Sequence, residues 1–320
     1  MWNEQENQMS RNFGLGQRDM AKAGQVALEN SAKSGAVSFS TAATNGERWN
    51  SFTAWAKEND VKKMENVTPE LVKEYGQELA ERVSQGEMAA ATAQNYVSAV
   101  NSVMTIATKG EWQSVSPTKA CGIEQRSAVR QDAPGALDRA AYGRAVEAVR
   151  DQVGERAGAA VELCRELGLR SKEASLLDAR GALAEASARG TVTITEGSKG
   201  GREREVPITS QAQLGALERA AQAQGEARAV MPPGENWQSW REGGLRDARE
   251  VMQAATGGGL HDLRAAYACE RYEALTGHAA PCAGGEIQDR AADQAARLEI
   301  SAELGHGRAE VTAEYLGGRK

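Results

Sequence analysis

The sequence has no apolar run near the roughly 18 residues that a membrane-spanning helix needs. Its start, MWNEQENQMSRNFGLG, does not show the basic-then-apolar pattern of a secretory signal. Only four cysteines are present, far apart and without a CxxC pair, which excludes a zinc ribbon and a dense disulfide framework. With 41% hydrophobic and 26% charged residues, the chain is predicted to be globular and cytoplasmic, with no membrane partner.

An excess of positive charge is also missing. The 38 basic and 44 acidic residues give a net charge of -6, which argues mildly against a nucleic-acid-binding protein. The type of basic residue, in contrast, favours nucleic-acid binding. Beyond Gln131 every cation except Lys172, Lys199 and Lys320 is an arginine, the forked and permanently charged side chain that suits phosphate binding.

The 320 residues suggest about two domains. Helical spacing of apolar residues dominates, and one segment is rich in proline, glycine and polar residues. We predict an N-terminal tail and helix over 1–34, a helical unit over 35–115, a linker over 116–135 and a second domain over 136–320. The only convincing β signal is TVTIT, then EGSKGG, then REREVPI, which predicts one hairpin in a mainly α fold.

Several polar side chains of the second domain are candidates for chemistry, although each is weak alone. Arg170 and Glu173 lie one helical turn apart, which usually indicates a surface pair. Lys199 lies in the hairpin turn, where a lysine is ordinarily only solubilising. His261 and Arg264 share one side of a helix that follows three glycines.

Two further candidates complete a chemically meaningful set. His306 ends a helix, and Tyr315 follows it by nine residues. Arginines, histidines, a lysine and a tyrosine are what nucleophilic attack on a phosphodiester requires, because tyrosine can form a phosphoester and arginines can hold the oxygens of the pentavalent phosphorus. The leaving oxygen needs an acid, which lysine can supply and arginine cannot. No metal or other cofactor is predicted, since the cations are built into the chain.

The order of four motifs resembles the tyrosine recombinase (phage integrase) family. They are CRELGLRSKEASLL, TEGSKGGREREVPI, GLHDLRAAYACERY and ELGHGRAEVTAEYLG. The resemblance covers about 136–320, and the helical unit at about 40–110 is similar to the core-binding (SAM-like) domain of that family. It implies a mainly α, two-domain DNA clamp with a helical core-binding domain and a tyrosine-recombinase catalytic domain.

The resemblance also implies the roles of the candidate residues. It implies that Tyr315 is the nucleophile that forms a 3′-phosphotyrosine and that Arg170 and Arg264 clamp the phosphate. Lys199 would protonate the 5′ oxygen. His261 and His306 would hydrogen-bond the phosphate and assist proton transfer, and Glu173 would support the arginines and histidines. The implied partners are double-stranded DNA, a homotetramer on two DNA sites and accessory directionality factors. The implied location is the nucleoid.

Three features depart from the family pattern. The stretch 276–293 lengthens the separation between Arg264 and His306, which predicts an inserted surface loop in which His278 is not catalytic. Only 316–320 follow the tyrosine, fewer residues than in relatives with a long C-terminal helix. The N-terminal segment is short for a separate arm-site-binding domain, which favours a simpler core-site recombinase.

Several functions remain open at this point. The leading hypothesis is the integrase of a mobile element, followed by a Xer-like resolvase of chromosome or plasmid dimers and a relaxing topoisomerase. A catalytically silent DNA-binding protein of the same fold is a further alternative. An acidic helical interaction protein is disfavoured by the motif order. DNA binding by an acidic chain predicts an electropositive cleft around Arg170 and Arg264, with acidic residues on the outer face.

Overall fold

The computed structural model describes residues 11–198 and 201–319. Contacts between Cα atoms divide the chain after Ser127 into two units. The described residues are mostly helical and include one two-stranded sheet, so the predicted fold class, mainly α with a small hairpin, is confirmed. None of the helices in the described ranges is long and apolar enough to cross a membrane.

The first unit contains four α-helices in its described part. They are α1 (Met20–Lys33), α2 (Phe39–Glu58), α3 (Pro69–Ser84) and α4 (Ala90–Ala107). The start of α3 shows how the sequence sets these boundaries. The Thr68 hydroxyl accepts a hydrogen bond from Leu71 N at 3.2 Å, and Pro69 occupies the first turn, where its missing N–H costs nothing.

The core of the first unit includes α1. Trp49 is fully buried, and its Nε1 donates a hydrogen bond to Met20 O at 3.1 Å. A Cβ on Gly24 would lie 2.0 Å from Trp49 Nε1, so only glycine allows α1 to approach this ring. The helix predicted within 1–34 therefore packs into the same core as the helices predicted within 35–115.

The first part of the predicted linker also packs on this unit. Val115, Cys121 and Ile123 are buried in the same apolar core. The Asn101 side chain holds the start of this segment, because its Oδ1 accepts from Val115 N at 2.9 Å and its Nδ2 donates to Val115 O at 2.8 Å. The segment predicted as a linker at 116–135 thus packs on the helical unit as far as Ile123.

The second unit surrounds one helix that is buried from its third residue onward. Its described elements are α5 (Arg139–Gln152), α6 (Glu155–Glu166), α7 (Ser171–Leu176), α8 (Ala179–Arg189), β1 (Thr191–Ile194), β2 (Arg204–Pro207), α9 (Gln211–Gln224), α10 (Trp237–Glu242), α11 (Gly244–Thr256), α12 (Leu260–Thr276), α13 (Arg290–Glu303) and α14 (Ala313–Leu316). Every residue of α6 from Ala157 to Glu166 is buried. The turn that follows α6 is therefore fixed by the core on all sides.

The hairpin has the predicted form. Strands β1 and β2 are antiparallel, with Val192 opposite Val206 and Ile194 opposite Arg204. These four side chains are all buried, so one face of the hairpin lies on the core, as strand alternation requires. Arg204 is a charged residue on this inward face.

One predicted helix is divided in the structure. The helical pattern from Ser171 to Ala188 predicts continuous helix, whereas α7 ends at Leu176 and α8 begins at Ala179. Leu177 is extended between them, and its carbonyl accepts a hydrogen bond from Val230 N at 3.1 Å. A backbone contact from a distant loop thus replaces the local helical hydrogen bond.

Candidate active site

The turn between α6 and α7 carries the first predicted site residue, Arg170. Gly168 has a φ of +63°, and a Cβ there would lie 2.5 Å from Tyr267 Cδ1, so the turn requires glycine. The turn places Arg170 at the N-cap of α7. Glu173, one turn later, accepts hydrogen bonds from Arg170 N and Arg170 Nη1, each at 2.7 Å.

Glu173 is the buried anchor of a charged cluster. Arg204 grips its carboxylate with two hydrogen bonds, Nη1 to Oε1 at 2.8 Å and Nη2 to Oε2 at 2.6 Å. Burial acts to raise the pKa of Glu173, but the hydrogen bonds and charge of Arg204, with those of Arg170, hold that pKa below its usual value. The carboxylate is therefore ionised at neutral pH and fixes two guanidinium groups.

Arg264 on α12 lies at the centre of the site and is only 1% exposed. Its Nη1 donates to Gly168 O and its Nη2 donates to Leu304 O. Its Nε donates to the hydroxyl of Tyr315 at 3.3 Å. One guanidinium therefore joins the turn after α6, the end of α13 and the helix that carries the tyrosine.

Tyr315 on α14 is 2% exposed, and its hydroxyl lies between a cation and a histidine. His306 Nε2 is 3.2 Å from Tyr315 Oη and 3.4 Å from Arg264 Nη2. The rings of His306 and His261 lie 5.8 and 5.5 Å from the tyrosine ring, measured between centroids. A neutral His306 could accept the hydroxyl proton, as activation of a tyrosine nucleophile requires.

Both histidines are held in the neutral form. Burial, followed by the charges of Arg264, Arg170 and Arg204, lowers the pKa of His306 to about 4. Partial desolvation, and then the charge of Arg264, lowers the pKa of His261. Burial is the larger cause of both shifts, and the charge of Arg264 adds to it at both rings.

The hairpin borders the same site. Arg202 and Arg204, together with His306 and its two flanking glycines, line a cleft of about 590 Å³. Lys199, the predicted acid, lies outside the described residues. The site is thus described for six of the seven predicted side chains, and the structure brings these six together.

Sequence reasoning missed Arg204. In the segment REREVPI, Arg204 and Val206 point to the same face. That alternation was a usable signal, because a charge on the inward face of a strand needs a buried partner. The partner here is Glu173, which lies 31 positions earlier in the sequence.

Sequence reasoning also missed Arg130. Its guanidinium pairs with Asp262, and its backbone N donates to Ala313 O at 2.9 Å. Asp262 Oδ2 also accepts from Gly135 N at 3.0 Å. These contacts join the start of α12 to the start of α14, and nothing in the sequence predicts a pair separated by 132 positions.

The insertion at 276–293 is more than the predicted surface loop. Ala280 and Cys282 are buried, with exposures of 0% and 6%. The Cys282 thiol lies 3.3 Å from the carbonyl oxygen of Tyr315, and the Cys269 thiol lies 3.6 Å from it. The insertion therefore forms part of the floor beneath the tyrosine. The His278 side chain is exposed.

The chain is similar to known proteins in sequence and in fold. Residues 125–270 match the family model described as "Integrase", a segment that includes Arg170, Glu173, His261 and Arg264. No curated protein matches the chain in sequence.

Solved structures share the fold across both units. A XerH site-specific recombinase bound to its difH substrate matches with a TM-score of 0.60 and 15% identity, over 92% of this chain and 80% of that chain. A lambda integrase dimer bound to a COC′ core site matches with a TM-score of 0.53 and 15% identity, over 92% and 76%. The Tn1549 transposon integrase in complex with circular intermediate DNA matches with a TM-score of 0.53 and 11% identity, over 94% and 96%.

The fold is therefore that of integrases and site-specific recombinases. Residues 125–270 match the integrase family model, and the four ordered motifs resemble those of tyrosine recombinases.

Proposed function

We propose that this chain is a site-specific DNA recombinase that cuts and rejoins DNA through a 3′-phosphotyrosine on Tyr315. One observation carries the proposal: the Tyr315 hydroxyl lies 3.3 Å from Arg264 Nε and 3.2 Å from His306 Nε2. A hydroxyl held between a proton acceptor and a phosphate-binding cation is arranged for attack on phosphorus.

The chemistry follows from the position of each group. His306 accepts the proton of Tyr315 as its oxygen forms a bond to phosphorus. The guanidinium groups of Arg170 and Arg264 stabilise the charge that develops on the non-bridging oxygens. The bond to the 5′ oxygen breaks, and Lys199 supplies the proton to that oxygen. His261 hydrogen-bonds the phosphate.

The buried Glu173 supports this arrangement without touching the phosphate. It fixes the Arg170 side chain and the Arg204 side chain, and it lies 4.0 Å from Arg264 Nη1. Preorganised charges need no rearrangement during the reaction, which is the main source of electrostatic catalysis. The phosphotyrosine keeps the energy of the broken bond, so a second DNA 5′ hydroxyl reverses the reaction without ATP.

The proposed partner is double-stranded DNA, bound by a homotetramer on two sites and assisted by accessory directionality factors. We favour the integrase of a mobile element, since lambda integrase and the Tn1549 integrase are among the similar structures. A Xer-like resolvase of chromosome or plasmid dimers is the second candidate, because XerH has the same fold. A silent DNA-binding protein is disfavoured by the arrangement of the six described side chains.

The experiment is to trap the covalent intermediate. The protein is incubated with duplex DNA from the flanks of its coding region, nicked near each candidate site so that the cleaved end diffuses away, and then denatured in SDS. We expect a protein–DNA adduct with the wild type and none with Tyr315→Phe.

A second tyrosine provides a matched control. The Tyr142 hydroxyl is buried without a hydrogen-bond partner, so Tyr142→Phe removes a phenolic oxygen elsewhere in the same unit. This variant should form the adduct at the wild-type level. Salt-sensitive DNA binding without any wild-type adduct would favour the silent DNA-binding protein. Absence of DNA binding would refute both the recombinase and the silent DNA-binding protein.

A further inference from the structure

A fully buried ion pair lies on α13, behind the tyrosine. Arg297 Nε donates to Asp293 Oδ1 at 2.7 Å. The two side chains are 1% and 3% exposed. Asp293 also accepts a hydrogen bond from the Tyr272 hydroxyl at 2.9 Å, and its Oδ2 lies 3.2 Å from Arg319 Nε. The pair is outside the set of residues that the proposed chemistry uses.

The same arginine contacts both ends of the short helix that carries the nucleophile. Arg297 Nη1 donates to Gly317 O at 3.1 Å and to Thr312 Oγ1 at 3.4 Å. Thr312 in turn donates to Ala309 O at 2.6 Å. Thr312 and Gly317 immediately bracket α14, so a single guanidinium spans the helix from one end to the other.

The position of α14 depends on such outside contacts. It has only four residues, Ala313–Leu316, and a helix of one turn has no stability of its own. The direction of the Tyr315 side chain is therefore set by the contacts that fix the two ends of α14. The thiols of Cys269 and Cys282 also approach the Tyr315 carbonyl, but thiols are weak donors.

Burial of this charge pair needs a reason. Removing two charges from water is costly, and buried ion pairs can often be replaced by apolar residues of similar volume without loss of stability. The Arg297 Nη2 atom is also buried without a hydrogen-bond partner, which adds to the cost. The bonds from Nη1 to the tyrosine-bearing segment offer a function that an apolar side chain could not perform.

We propose that Arg297, held by Asp293, is a positioning residue that keeps the Tyr315 hydroxyl between Arg264 and His306. The proposal rests on the proposed function for its catalytic consequence. Its structural part, the fixed position of Tyr315, stands independently and is measured without DNA.

The experiment combines a spectroscopic and a kinetic measurement on the full chain. The protein is labelled with 3-fluorotyrosine, and the fluorine resonance of Tyr315, one of six tyrosines, is assigned by its loss in Tyr315→Phe. In Arg297→Met we expect this resonance to split or broaden. Adduct formation on nicked DNA should slow by about 10- to 100-fold, because small misplacement of a reacting group costs rates of this order. The DNA dissociation constant should stay within about threefold.

Arg165→Met is the matched control. Arg165 is equally buried, with a side chain 1% exposed, and it pairs with Glu270. Its side chain bonds to Ala136 O and Glu270. This variant should lose comparable stability while it leaves the Tyr315 resonance and the adduct rate near the wild-type values.

Comparing Arg297→Met with Arg165→Met distinguishes a loss of Tyr315 positioning from a general loss of stability. If Arg297→Met and Arg165→Met behave alike in the Tyr315 resonance and in the adduct rate, the proposal is wrong. If Arg297→Met does not fold, Thr312→Val tests one end of the same anchor. It keeps the side-chain shape but removes the bonds of Thr312 both to Arg297 and to Ala309 O. An unchanged Tyr315 resonance in that variant would refute the proposal. If the wild type forms no adduct, the proposed function fails, and the fluorine spectra still decide the position of Tyr315.

Discussion

At the scale of single residues, the site contains arginines that remain protonated and histidines that are neutral. Arg264 remains charged even though burial, and then nearby charges, lowers its pKa from the usual value. Burial, and then the charges of Arg264, Arg170 and Arg204, lowers the pKa of His306 and keeps it neutral. His306 can therefore accept a hydrogen bond from the Tyr315 hydroxyl at neutral pH, because burial and the neighbouring arginines both disfavour its protonated form.

The lowered pKa of His306 predicts a pH dependence of folding. The unfolded histidine titrates near 6.5 and the folded one near 4, so between these values the unfolded state binds more protons. The free energy of unfolding therefore falls as the pH falls from about 6.5 to 4. Because the ring is partly exposed, we expect a contribution of about 1 to 2 kcal/mol.

The measurement is chemical denaturation at pH 7 and at pH 4.5, for the wild type and His306→Gln. Other groups, such as His261 and Glu173, also have lowered pKa values, so only the difference between the two proteins reports His306. The variant should lose less stability on acidification than the wild type. An equal loss in both proteins would contradict the assignment of a neutral His306.

At the scale of elements, the site is built where α7, β2, α12 and α13 meet. Glu173 lies in the first turn of α7 and Arg204 lies at the start of β2. Arg204 Nε also donates to Glu303 O at 2.7 Å, near the end of α13. One buried charge cluster therefore fixes three elements, and its loss should affect the whole second unit.

Glu173→Gln tests this joint role. Removing the buried carboxylate charge leaves Arg204, with a side chain 5% exposed, without its counter-charge. Breaking a buried pair in this way costs about 3 to 5 kcal/mol of unfolding free energy. Glu205→Gln, on the same strand, breaks a pair with Arg189 whose side chains are 53% and 57% exposed, and should cost below about 1 kcal/mol. Similar denaturation midpoints for the two variants would refute the anchoring role of Glu173.

Some of the helices and strands could be predicted from the sequence, and others could not. Helices with regular apolar spacing, such as the one that carries Trp49, were predictable, because local spacing determines which face is buried. The hairpin was predictable from its alternation. The break at Leu177 was not, because it depends on a backbone contact from Val230.

The residues of the candidate site also fall into those that the sequence predicts and those that it does not. The motif residues were found because their chemistry is specific in combination. Arg130, Arg297 and Cys282 were not found, because their roles arise from contacts that only the folded chain creates. The insertion that contains Cys282 looked like a polar surface loop in sequence, since glycine and proline mark loops whether or not part of the loop is buried.

For the whole molecule, the net charge of -6 is compatible with DNA binding only if cations concentrate at the binding surface. Three arginines, Arg264, Arg170 and Arg204, lie near enough to the tyrosine for their charges to add to burial in lowering the pKa of His306. Phosphate contacts release counterions, so the logarithm of the association constant should fall linearly with the logarithm of the salt concentration.

Arg170→Ala tests whether this local positive charge contacts DNA. The Arg170 side chain is 24% exposed, so it can reach a phosphate while it remains bonded to Glu173. If it neutralises one phosphate, the variant should bind more weakly at low salt, and the slope of the salt dependence should decrease by about 1. Arg189→Ala removes an exposed arginine that pairs with Glu185 and Glu205, and should leave the slope unchanged. Fluorescence anisotropy across a salt series measures both, and equal slopes for Arg170→Ala and the wild type would show that the phosphate does not bind where the proposed mechanism requires it.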